Sequence, residues 1–325
     1  MKKVAILAYN NCLVSAVAGV LEILAIANSY AAGSGSEMEF SGFIIVSPDG
    51  ENVDGFVGFP VEVEGSILDV EPDILVLPPV FGKIDPLLND EVLIKRIAFL
   101  EQQGTLIASA CAGSFLMARA GLLDGKPATT HWRLAADFAA RFEKVDLQEG
   151  RMLIDGGSYI CAGGAMAWQD LALHLVARFM GRDKAAACAK ILVMDSTRDV
   201  QTPYFMFEAK SGVQGFGDHQ IADVQKWMQE NYSKPMQIAM LAEKSSLGER
   251  TFLRRFKAAT GMTPNNYLQQ LRIEAARHLL EVSAKSVEEI TVAVGYDNGS
   301  SFRRLFKRLT GVSPREYRSR FSRQV

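Results

Sequence analysis

Residues 251–267 read TFLRRFKAATGMTPNNY and residues 301–317 read SFRRLFKRLTGVSPREY, so one stretch is written twice, fifty positions apart, with 8 of 17 aligned positions identical. Each copy is a helical run that breaks at a Gly-containing turn. Two copies are too few for a solenoid, which needs three or more stacked units, and indicate two similar supersecondary units in tandem.

The helical period assigns a face to each side chain. Phe302, Leu305, Phe306 and Leu309 recur at i, i+3, i+4 and i+7 and make one apolar stripe, while Ser300, Arg304 and Lys307 fall opposite. In the first copy Phe252, Phe256 and Ala259 are the expected buried stripe, with Arg250, Arg254 and Lys257 pointing outward. A shorter amphipathic helix precedes each run, at residues 236–244 and 287–294, across turns at 245–248 and 295–298. The pattern is a helix-turn-helix, twice. A helical connector from Pro264 to about Glu281 joins the copies. Its length of roughly 27 Å is comparable with one turn of B-DNA and suits two helices entering successive major grooves.

Helices with Arg and Lys outside are often merely solvated, and duplication is what makes the basic faces informative. The candidate DNA contacts are Arg250, Thr251, Arg254 and Lys257 in one copy and Ser300, Ser301, Arg304 and Lys307 in the other. Charge is divided along the chain. Residues 221–325 hold 18 Lys and Arg against 10 Asp and Glu, whereas residues 1–220 hold 17 against 27. A basic segment beside an acidic one is expected when only the former approaches phosphate.

The stretch from about Asp218 to Arg320 resembles the DNA-binding domain of AraC/XylS-type transcription regulators, most recognisably at Gly295, Tyr296, Phe302, Phe306, Lys307, Gly311, Pro314 and Tyr317. The resemblance implies a double-stranded operator or promoter as partner, with RNA polymerase a further partner if the protein activates.

The first 220 residues have a different grammar. Apolar runs at 3–8, 43–47, 74–77 and 105–109 are strand-like and alternate with helical or loop segments, which predicts a mostly parallel sheet covered by helices. The first run lacks the length and cleavage site of a signal peptide, so the expected location is the cytoplasm. Residues 13–27 are apolar almost all round but include Glu22 and fall short of a span, which favours a buried helix or dimer interface. Cys12, Cys111, Cys161 and Cys188 show no CxxC pairing and no His at ligand spacing, so neither disulfides nor metal are expected.

Cys111 follows the strand-like run 105–109 and precedes a helix through Arg119. Such a sharp turn exposes a nucleophile beside helix N-terminal amides that lower its pKa. The plainer alternative is a small Cys buried at a strand end. His131, beside Trp132, is open to a purely structural reading too, while the pairs Gly156, Gly157 and Gly163, Gly164 lack a phosphate-loop Lys and read as turns.

IASACAGSFLMARAGLLDGKPATTHW and RMLIDGGSYICAGGAMAWQDLALHLVARFMG, within roughly residues 1–183, resemble the PfpI-type class I glutamine amidotransferase-like domain. That resemblance implies a flavodoxin-like fold, with Cys111 as the elbow residue and His131 as its assistant. Two departures argue against catalysis. The loop Tyr9 to Ser15 contains no acid where relatives carry a Glu, and the usual Pro-Gly-Gly reads Pro78, Pro79, Val80, with no N–H at Pro79 to bind an oxyanion. The expected site is therefore a small-molecule pocket formed by Cys111, Ala112, His131, Pro79 and Val80, without cofactor, taking an effector such as a nitrogenous metabolite.

The expected organisation is an effector and dimerisation domain at 1–190, a linker at 191–220 with a hinge at Gly212, Gly215 and Gly217, and an all-α double helix-turn-helix domain at 221–325. The expected function is a homodimeric, non-enzymatic, DNA-binding transcription regulator. The alternative is a Cys-dependent amidohydrolase or amidotransferase-like enzyme, or a thiol sensor, fused to a DNA-binding domain.

Overall fold

The computed structural model describes residues 1–195, 198–207 and 218–322. The expected hinge at Gly212, Gly215 and Gly217 lies outside the described residues. The chain divides into two compact units, Met1–Gln201 and Thr202–Val325.

The first unit runs β1 (Lys2–Leu7), α1 (Val14–Gly33), β2 (Phe40–Val46), β3 (Val53–Asp54), β4 (Pro60–Val61), β5 (Ile74–Leu77), α2 (Asp85–Leu88), α3 (Glu91–Gln102), β6 (Leu106–Ala110) and α4 (Gly113–Arg119). It continues through β7 (Pro127–Ala128), α5 (Ala135–Arg141), β8 (Asp146–Leu147), β9 (Leu153–Asp155), β10 (Tyr159–Ala162), α6 (Trp168–Met180) and α7 (Arg182–Ile191). Six strands form one sheet in the order β2-β1-β5-β6-β10-β9, parallel except where β9 turns back on β10. Every residue of β5, β6 and β10 is buried. Continuous rather than alternating burial is what a parallel sheet covered on both faces requires.

The helix expected at 13–27 is longer than its apolar core and runs the full 20 residues to Gly33, long and apolar enough by composition to cross a membrane. It packs instead against α6 and α7, with Ala16, Val20, Leu24 and Ala27 buried in the core. The extension arises because Asn28, Ser29 and Tyr30 are compatible with a helix when Asn28 is held: its side chain donates to the Phe40 carbonyl at 2.7 Å and accepts from the amides of Glu39 and Phe40.

The second unit contains α8 (His219–Asn231), α9 (Ile238–Lys244), α10 (Glu249–Thr260), α11 (Pro264–Val282), α12 (Val287–Ala293), α13 (Gly299–Thr310) and α14 (Pro314–Phe321). Among the described residues it has two cores, with Tyr232 packed against both. Ile221, Val224, Met228, Leu241, Phe252, Phe256, Tyr267 and Leu268 fill one; Ile273, Ala276, Leu280, Ile290, Val294, Phe302, Leu305, Phe306 and Tyr317 fill the other. The connector α11 supplies its first turns to one core and its last turns to the other. With 19 residues it is about 28 Å long at the usual rise per residue.

The repeat is reproduced at the turn that ends each helix. Gly261 and Gly311 end α10 and α13 with φ of 75° and 77°, the left-handed conformation that side-chain-bearing residues resist. Thr260 and Thr310 each donate to the carbonyl four residues back, at 2.7 and 2.8 Å. Phe256 meets Tyr267, and Phe306 meets Tyr317, edge to face at 5.4 and 5.5 Å. One expectation fails: Ala259 is exposed. The aligned Leu309 reaches its core, whereas a methyl group at the same position is too short to do so.

Candidate functional site

Of the eight residues identical between the copies, six have a packing or capping reason to be so. Phe252 and Phe302, Phe256 and Phe306, and Tyr267 and Tyr317 are core aromatics; Thr260 and Thr310, Gly261 and Gly311, and Pro264 and Pro314 close one helix and open the next. The remaining two pairs, Arg254 with Arg304 and Lys257 with Lys307, are exposed. Fold stability gives no reason for a cation at these positions, and a shared phosphate or base contact does.

All eight candidate contact residues, Arg250, Thr251, Arg254, Lys257, Ser300, Ser301, Arg304 and Lys307, are exposed on α10 and α13. Neighbouring arginines are employed otherwise. Arg255 forms two hydrogen bonds with Asp218, the N-cap of α8, and Arg303 pairs with Glu288 of α12, so both fasten the helix to its own bundle. Leu253, 38% exposed between Arg250 and Lys257, puts an apolar spot on the basic face of α10. The periodicity missed it because Leu is expected inside. Its chemistry is that of a contact for a thymine methyl.

In the first unit, Cys111 sits between β6 and α4 with φ of 56°, the strained backbone of a strand-to-helix elbow. A cleft of about 610 Å³ opens above it, lined by Val80, Phe81, Cys111, Ala112, Phe115 and His131 together with Lys83, Asp85, Asp137 and Arg141. The expected Cys111, Ala112, His131 and Val80 are thus brought together. Pro79 is not in the lining; its carbonyl accepts from the Leu13 amide at 2.8 Å.

The electrostatics differ from the expectation at Cys111. Burial pushes its thiol up to about 12, against a downward pull from the Ala112 amide. The helix amides that were expected to lower it are outweighed by desolvation, the residue being only 6% exposed, as the plainer reading of a Cys buried at a strand end has it. His131 is held below the ordinary imidazole value by burial and by Arg133. Its Nδ1 accepts from the Arg133 amide at 3.1 Å, which caps a short turn, and its ring stacks on Trp132. His131 thus makes a structural bond and also lines the cleft.

Tyr9 occupies the position just after β1. Its hydroxyl donates to the Pro78 carbonyl, and burial, with Cys12 and Cys111 adding to it, raises the phenol well above its ordinary value. A neutral phenol therefore stands beside the thiol, where a carboxylate would be needed to accept a proton. At the cleft wall Arg141 bridges Asp85 at 2.6 Å and Asp137 at 2.9 Å, and the guanidinium holds the Asp85 carboxyl below its usual range.

Residues 39–178 match the DJ-1/PfpI family, and residues 241–320 match the helix-turn-helix domain family. The HTH-type transcriptional regulator CdhR of Pseudomonas aeruginosa is 27% identical over 276 residues, covering 85% of this chain and 81% of its own. The chain belongs to the AraC-type family, with a DJ-1/PfpI domain ahead of the helix-turn-helix units. The HTH-type transcriptional regulator GbdR of the same species is 26% identical over 234 residues, 71% of this chain, which spans only 63% of that relative's length. A putative transcriptional regulator from Vibrio parahaemolyticus shares the fold of the first unit, with a TM-score of 0.52 and 23% identity over 59% of this chain and 98% of its own.

For an AraC-type chain the sequence located the elbow and both basic helices but not the charged wall of the cleft. Lys83, Asp85, Asp137 and Arg141 come from separate loops and helices that only tertiary folding joins. The one local signal was Asp137 and Arg141, spaced i,i+4 on α5.

Proposed function

We propose that the chain is a sequence-specific DNA-binding transcription regulator, acting in the cytoplasm, whose first unit senses a small metabolite. The observation that carries the DNA half is the pair of exposed identities, Arg254 with Arg304 and Lys257 with Lys307, on helices that otherwise repeat only for packing. The same reading gives a homodimer as the working assembly and RNA polymerase as partner where it activates.

The two helices read different sequences on this account. Arg250 and Ser300 hold aligned, exposed positions, and Arg favours a bidentate bond to guanine where Ser is permissive. Arg250→Ala is expected to relax one half of the site, by about 1–3 kcal/mol for its preferred base, and to leave the other half as it was. Selection of duplexes from a random pool checks this; an unchanged motif in both halves contradicts it.

The cleft supports ligand holding over catalysis. A protonated, buried thiol, a capped His131, a neutral Tyr9 and a Pro where an oxyanion donor would stand leave no activated nucleophile, while the apolar walls and the few charged groups suit a small polar metabolite. The DJ-1/PfpI fold also contains enzymes, so the distinguishing observation is binding without turnover. A ligand found by screening nitrogenous metabolites is expected to stabilise the full chain by about 2.7 kcal/mol at a hundred times its Kd. Cys111→Ala is expected to shrink that shift and leave duplex affinity within about twofold, since a change confined to the cleft alters coupling rather than the DNA face. An undiminished shift in the variant removes the cleft from the account.

A further inference from the structure

Gln201 is the last residue of the first unit and is 1% exposed, although it is polar and close to the chain's exit. Its side-chain amide is consumed by a single loop and the strand edge beside it. The NH2 group donates to Thr129 Oγ1 at 3.1 Å, to the Thr130 carbonyl at 2.8 Å and to the Arg151 carbonyl at 3.2 Å, and the amide oxygen accepts from the Trp132 N–H at 3.3 Å. The backbone is fitted to receive it. A Cβ on Gly163 would stand 2.3 Å from the Gln201 amide nitrogen, so a glycine is needed for the side chain to enter.

The loop that Gln201 holds is the cleft's own. It carries His131, and Thr130 Oγ1 donates to the Cys111 carbonyl at 3.0 Å, so the segment 129–132 touches both the elbow and the amide of Gln201. We propose that Gln201 is a positioning residue that ties the cleft loop to the point where the chain leaves the first unit, so that what occupies the cleft is registered at residue 201. The inference rests on the reading of the cleft as an effector site and adds the residue through which its state leaves the domain. A buried amide whose two N–H groups are shared among three acceptors and whose oxygen takes one donor fits in one orientation, so a shift of the loop forces a shift of the chain at 201. Bonds of this kind are directional in a way that apolar contacts are not.

Linkage makes the test independent of the unknown ligand, because a coupling that runs from cleft to DNA must also run from DNA to cleft. The probe is a duplex selected with the wild-type full chain, and the readout is amide hydrogen exchange of the peptide covering residues 129–133. In the free protein, Gln201→Ala and Gln201→Glu should each speed exchange of that peptide by about three- to tenfold, the consequence of losing one net hydrogen bond, while β1 exchanges as in the wild type. A merely structural role stops there. Positioning adds that saturating duplex changes exchange at 129–133 in the wild type and not in either variant. The same peptide exchange in wild type and variants, or a duplex effect that survives both substitutions, overturns the proposal. Failure of the wild type to select any duplex would instead overturn the regulator reading, with the free-protein comparison still deciding what Gln201 holds.

Discussion

Raising monovalent salt from about 50 to about 200 mM is expected to weaken duplex binding by roughly three decades. The second unit presents Arg250, Arg254, Lys257, Arg304, Lys307 and Arg308 on the exposed sides of α10 and α13. With Arg250 engaged on a base, the other five cations meeting five phosphates release about as many counterions and give a slope near −4.5 in a plot of log affinity against log salt. Arg318 does not add to this set. It lies close to the others in sequence and charge, but its guanidinium donates to the carbonyls of Leu280 and Lys285, where it fastens α14 to the end of α11. A titration shallower than about −2 would mean that these helices do not lie along the phosphate backbone.

How much of this was legible depended on whether a feature is local. The helix-turn-helix pair was written in full, because a helical stripe, a glycine stop and a Pro start are each encoded within a few residues of where they act. The sheet was legible where apolar runs were long enough. The β9 and β10 hairpin was not read as strands: β9 has three residues and β10 reads YICA, without the unbroken branched apolar run ILVL that marks β5 at the same length. The elbow at Cys111 was legible from the strand-to-helix change, yet its protonation state was not, since desolvation depends on what folds against it from distant segments, Tyr9 and the 129–132 loop among them. Gln201 was passed over as part of a polar lead into a hinge. Nothing in its neighbourhood in sequence shows that Thr129, Thr130, Trp132 and Arg151 will surround it.

Phe306→Ala is expected to cost about 3–5 kcal/mol, the usual penalty for emptying a buried aromatic site. Phe306 is fully buried among Ile273, Leu280, Ile290, Phe302 and Tyr317. Its ring packs edge to face on Tyr317, whose hydroxyl donates to Glu281 at 2.6 Å and so fixes α14 against α11. Domain stability is typically only about 5–15 kcal/mol, so a loss of this size takes most of what holds a small core. The damage should stay on one side. The first core is built from other residues and shares with the second the connector α11 and Tyr232, which packs against both, so α12, α13 and α14 should loosen while α8, α9 and α10 remain folded.

That separation allows the central claim, two independently built units each entering a major groove, to be tested by footprinting the full chain on a selected duplex at low salt. The wild type should protect two segments on one face, about 10–10.5 base pairs apart, a spacing comparable with the length of α11. Phe306→Ala should erase one segment and keep the other. A single protected segment in the wild type, or loss of both together in the variant, would contradict the account.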